Sequence, residues 1–111
     1  MKPKAKLPAI PTHLTASTRQ WCRQILGTWS LEDHHLRLLF GAGKAWDRAM
    51  EAREVIDREG LTYLDRFGQV RPRPEVQIER DSLTLFTRMM RELNLDSEVI
   101  PDPKPPKIGG K

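Results

Sequence analysis

From Leu31 to Glu59 the chain contains no proline, and Gly60 follows where a helix C-terminal cap belongs. This stretch constrains the fold more than any other feature. As one helix it is a rod of roughly 40 Å, long for a chain of 111 residues. Leu36, Leu39, Gly43, Trp46 and Met50 repeat at three- and four-residue steps. A second stripe, Leu38, Ala42, Ala45, Ala49, Ala52 and Ile56, runs about 100° round the helix. The large residues suit packing within the chain, and the alanines admit another backbone, either of this chain or of a neighbour. Gly41 and Gly43 each weaken the helix by about 1 kcal/mol relative to alanine, which predicts a bend or a close contact there. Asp33 with Arg37, Arg53 with Asp57 and Glu54 with Arg58 stand at ion-pairing spacing.

The flanking sequence adds two more helices and a hairpin. Thr15 can cap a helix running to about Trp29, in which Trp21, Ile25 and Trp29 share one face. Ser30-Leu31-Glu32-Asp33 is an acidic variant of the capping box and predicts that the long helix starts there. Leu61 to Arg71 has the pattern of two short strands about a glycine-bearing turn, ended by Pro72. Pro74 suits the first turn of a third helix reaching about Leu93, with Asn94 as its cap. That helix also has two apolar faces: Val76, Leu83, Phe86, Met90 and Leu93 on one, Ile78, Leu85 and Met89 on the other. The expected fold is mainly α: a helical hairpin with one long central helix, a short β-hairpin and a third helix. Two-faced helices in so small a domain argue for self-association. Ala42, Ala45, Ala49, Ala52, Ile78, Leu85 and Met89 are the expected interface.

Proline and charge divide the chain. Of nine prolines, three fall in the first 11 residues and four between Pro101 and Pro106. The expected organisation is a flexible basic arm over 1–14, a helical domain over 15–95 and a flexible Pro/Lys-rich tail over 96–111. The arm holds Lys2, Lys4 and Lys6 and no acid, while the middle is nearly neutral, with 13 basic and 12 acidic side chains. Lys2, Lys4 and Lys6, with Arg66, Arg71 and Arg73 around the hairpin, are the candidate phosphate-contacting residues. No apolar run spans a bilayer, and the start lacks the apolar segment of a signal peptide. The single cysteine, Cys22, excludes an intramolecular disulfide and points to a reduced, intracellular setting.

Catalytic and cofactor signals are weak. Phe40-Gly41-Ala42-Gly43-Lys44-Ala45 lacks the first glycine and the Ser or Thr of a phosphate-binding loop, and it sits mid-helix. His34 and His35 have no well-spaced third ligand, and adjacent helical histidines point about 100° apart, so no metal site is expected. Cys22, between apolar positions, has the setting of a buried thiol. No catalytic residue, metal or cofactor is expected.

Ordered blocks then add a likeness. Leu31-Glu32-Asp33-His34-His35-Leu36, Ala45-Trp46-Asp47-Arg48-Ala49, Glu51-Ala52-Arg53-Glu54 and Gly60-Leu61-Thr62-Tyr63 come first. Asp65-Arg66-Phe67-Gly68-Gln69, Arg71-Pro72-Arg73-Pro74, Glu79-Arg80-Asp81 and Met90-Arg91-Glu92-Leu93 follow. In this order they resemble the small terminase subunits of tailed double-stranded DNA bacteriophages, over about Thr15 to Asp96. Gly41 and Gly43 depart from the helix formers expected there. The resemblance implies a ring-forming, non-enzymatic protomer in the cytoplasm of the bacterial host. Its implied partners are viral double-stranded DNA, further copies of itself and the large subunit that carries the ATPase and nuclease. A helix-turn-helix transcription regulator and a protein-only helical adaptor are the alternatives, and a small hydrolase is the weakest reading.

Overall fold

The computed structural model describes residues 8–95. Three helices and one hairpin follow in order: α1 (Ala16–Thr28), α2 (Asp33–Glu59), β1 (Thr62–Leu64), β2 (Val70–Pro72) and α3 (Pro74–Leu93). The expected mainly helical class and element order are those observed. No helix among the described residues is long and apolar enough to cross a membrane.

Local chemistry explains the boundaries. The Thr15 side chain accepts from the Thr18 amide and starts α1. α2 begins later than the Ser30 signal predicts, with Glu32 as its cap. The Glu32 amide donates to His35 Nδ1 at 3.3 Å, so His35 closes the helix start. That turn also brings the His34 and His35 rings to 4.1 Å between centroids, closer than a 100° separation of adjacent positions suggests. Gly60, at φ +94°, ends α2, and Asn94, at φ +51°, ends α3 in the left-handed region that asparagine tolerates.

α2 and α3 lie antiparallel. Arg53 meets Glu79, Trp46 meets Phe86, and Gly41 faces Met89. The alanine stripe is the seam: Ala42, Ala45, Ala49 and Ala52 are buried within the single chain. This corrects their expected place at an oligomer interface. Helical periodicity identifies an apolar face but not its cover, and here the cover is α3 of the same chain. Ser82, another small buried residue, sits between the two apolar faces expected for α3 and lets the helices approach. Met89 packs against Gly41, whereas Ile78 and Leu85 stay exposed. Of the three expected ion pairs on α2, Arg53–Asp57 forms at 3.1 Å. Arg58 turns instead to Glu59, and Asp33 and Arg37 form no pair among the described residues.

α1 crosses the other end of this pair, where the core lies. Leu14, Cys22, Leu26, Leu39 and Leu93 form its centre, with Ile10, Trp21, Phe40 and Met90 around them. Leu14 thus corrects the 1–14 boundary of the expected arm: residues 8–14 belong to the folded body, and Leu14 is among its most buried side chains. The Arg19 guanidinium holds this segment by donating to the Thr12 and Leu14 carbonyls. Asp47 on α2 fixes α1 from the other side, accepting from the Thr15 amide and from the Thr15 and Thr18 hydroxyls. A carboxylate at a helix N-terminus also satisfies the positive end of the helix dipole. Gly43 makes the close approach possible, because a Cβ there would lie 2.9 Å from Thr18 Cγ2. Gly41 and Gly43 are therefore contact positions in a continuous helix.

Candidate interaction surfaces

The hairpin projects from the end of α2 remote from the core. Thr62 pairs with Pro72, Tyr63 with Arg71 and Leu64 with Val70. Asp65 organises the turn: its Oδ1 accepts from the Phe67 and Gln69 amides, and its Oδ2 accepts from Arg71 Nε at 3.0 Å. The bond from the Gln69 amide, then the Arg71 guanidinium, hold the Asp65 carboxyl below the ordinary carboxylate range. Gly68, at φ +79°, supplies the left-handed residue that closes the turn. All strand residues are exposed, which is unusual for so apolar a set. Phe67 is 75% exposed, Leu64 68% and Val70 66%.

Two of the three hairpin arginines expected to meet phosphate have work inside the chain. Arg71 is paired with Asp65. Arg73 donates from Nε to the Gly60 carbonyl and from Nη2 to the Glu59 and Thr62 carbonyls. It therefore clamps the hairpin base to the C-terminal end of α2, where the exposed carbonyls carry partial negative charge. Arg66 has no acidic partner among the described residues; its guanidinium lies 5.4 Å from the centre of the Phe67 ring. Lys2, Lys4 and Lys6 lie outside the described residues. Ile78 and Leu85, the other exposed members of the expected interface, lie on α3.

A basic face that the sequence reading did not single out runs along the outside of α3. Arg80, Thr84, Thr87, Arg88 and Arg91 are all exposed. At 100° per residue, with Gln77, they fill a sector of about 100°, and Arg80 to Arg91 extend over about 16 Å. None of the three arginines is paired with an acid among the described residues. Glu79 is turned to Arg53 on α2, whose guanidinium holds its carboxyl below the ordinary range. Asp81 and Glu92 border one edge of the sector, beside Arg88. The signal was present in the sequence as arginines at i, i+8 and i+11, but locally opposed charges mask it until the inward face of the helix is known.

The third surface is an aromatic groove between α1 and the α2–α3 pair. Ser17, Thr18, Trp21, Trp46 and Phe86 line a volume of about 400 Å³. The Phe86 ring lies 5.2 Å from Trp46 and 6.2 Å from Trp21 between centroids. A more polar cleft adjoins it along α2, sharing Trp46 and bordered by Glu51 and Glu54 with Lys44 and Arg48 beyond them. Among the described residues, no three His, Cys, Asp or Glu side chains are grouped to hold a metal ion. Cys22 is fully buried, and burial, reinforced by the Asp47 charge, pushes its thiol up to about 11. No protein-family model, curated protein or solved structure matches the chain.

Proposed function

We propose that the chain is a non-catalytic subunit of a viral DNA-packaging machine, of the small-terminase kind that its sequence blocks resemble. In this reading it self-associates, binds double-stranded DNA and regulates the large subunit that carries the ATPase and nuclease. The observation that carries the reading is the outward face of α3, where Arg80, Arg88 and Arg91 stand exposed without acidic partners among the described residues. A duplex presents a negative charge about every 1.7 Å along its axis, so a 16 Å row of guanidiniums can lie against several phosphates. Threonine hydroxyls between the arginines add donors for the same oxygens. Such contacts fix position, and sequence preference would arise from DNA shape.

The test is the salt dependence of duplex binding by the full chain, read by fluorescence anisotropy between 50 and 200 mM salt. Replacing Arg80, Arg88 and Arg91 together by glutamine is expected to reduce the slope of log affinity against log salt by about 2 to 3. Replacing Lys2, Lys4 and Lys6 in a separate variant measures the arm. Wild-type binding without salt dependence, or a slope unmoved by the triple substitution, overturns the reading. The exposed apolar hairpin favours a second reading, a protein-only adaptor, for which no duplex binding is expected at all.

A further inference from the structure

We propose that Phe67 at the hairpin tip of one copy seats in the Trp21–Trp46–Phe86 groove of a second copy, joining chains head to tail. The inference deepens the self-association in the functional reading by naming its contact. Phe67 is the most exposed large apolar side chain among the described residues. It is also held ready, because Asp65 binds the amides on either side of Gly68 and fixes the turn. A side chain on a pre-formed turn loses little freedom on docking. The groove offers the matching hole, open to solvent and walled by three aromatic rings, with Trp46 39% exposed.

The occupant follows from position and charge. Trp46 and Glu59 are 13 residues apart on α2, about 20 Å along its axis. Arg73 holds the hairpin at the far end, so the tip does not reach the groove of its own chain. Arg66 beside the knob has no acidic partner among the described residues, and Glu51 and Glu54 beside the hole have no basic one. The cleft beside the hole also carries Lys44 and Arg48, but Glu54 and Glu51 lie nearer Trp46 round α2, at about 80° and 140° against about 160°, so the acids border the hole and a second copy brings both the knob and its counter-charge. Knob and hole are different surfaces, so the contact is heterologous, and repetition closes a ring or extends a filament. Each single contact is modest; closure makes the set strong.

Native mass spectrometry of the full chain tests this with two variants that break opposite halves of the contact. Phe67→Ser removes the knob and leaves the hole, and Ser17→Trp fills the hole and leaves the knob. Wild type is expected to assemble beyond a dimer, and each variant alone to self-associate about thirtyfold more weakly. Mixed one to one at a concentration high enough to populate a single unclosed contact, the two variants should form a heterodimer and nothing larger. Should Ser17→Trp lose its helical circular dichroism, the charge swap replaces it: Arg66→Glu weakens assembly, and Glu51→Arg with Glu54→Arg restores it. A wild-type monomer, an unchanged mass for Phe67→Ser, or variants that fail to pair overturn the contact. A chain that assembles and binds duplex with salt dependence, but whose mass is unmoved by Phe67→Ser, sinks this contact alone; an assembled chain without duplex binding sinks the functional reading alone, and a wild-type monomer sinks both.

Discussion

Replacing Arg73 by alanine should free the hairpin while leaving the helical body folded. Its guanidinium donates to three backbone carbonyls, at 3.0 Å to Gly60, 3.3 Å to Glu59 and 3.2 Å to Thr62. A hydrogen bond at a partly exposed site contributes about 1 kcal/mol net, and two of these are long, so the set is worth about 2 kcal/mol. A two-stranded hairpin has little stability of its own, so the loss should appear locally. Two amides report it: Asp65, which donates to the Gln69 carbonyl, and that of residue 73, which donates to the Leu61 carbonyl. Their hydrogen exchange should accelerate about thirtyfold in the alanine variant. Arg73→Lys should fall between, because one ammonium cannot span three carbonyls. The melting temperature should move little, since the core lies at the other end of α2. Unchanged exchange at both amides, with a fall in duplex affinity, would refute the clamp and return Arg73 to the role of a DNA contact.

Two further outcomes test the packing. Gly41→Ala should raise stability by about 1 kcal/mol, because only the flexible end of Met89 must move and the helix gains propensity. Gly43→Ala should lower it by about 1 to 2 kcal/mol, because Thr18 is held by Asp47 and cannot yield. Thermal melts moving in opposite directions, by several degrees each, check the pair; a shift of the same sign in both refutes the contact model. Cys22 should react with iodoacetamide at pH 8 at least about 100-fold more slowly in the folded than in the unfolded chain, because it is fully buried and its thiol is raised from 9.0 to about 11. The sign of the linked stability follows: it is intact below pH 9 and declines as the pH rises toward about 11, as the unfolded thiol ionises first. Equal alkylation rates in the two states would count against burial.

The elements were largely legible before the structure because their signals are local. Thr15, Gly60, Pro74 and Asn94 mark ends through the conformation of a single residue, and Gly68 marks the turn in the same way. Ser30 and Glu32 offer overlapping caps at the start of α2, and the His35 ring, turned back to the Glu32 amide, decides for Glu32. What the charged and apolar faces meet was not legible. Asp47 holds Thr15 and Thr18 across 32 and 29 positions, and Arg53 reaches Glu79 across 26. No spacing rule on one helix anticipates such partners. The same gap hid the α3 basic face and gave the alanines of α2 to a neighbour instead of to α3.

The placement of the core also makes the molecule a cantilever. Leu14, Cys22, Leu26, Leu39 and Leu93 anchor one end, and beyond Trp46 only two helices continue, joined along small side chains. Arg53 braces this span laterally, its guanidinium forked onto both oxygens of Glu79 at 2.9 and 2.7 Å. A load applied at the hairpin is thus carried through Arg73 into the end of α2 and across the Arg53 brace into α3. The anchored end therefore feels the hairpin only through this two-helix span.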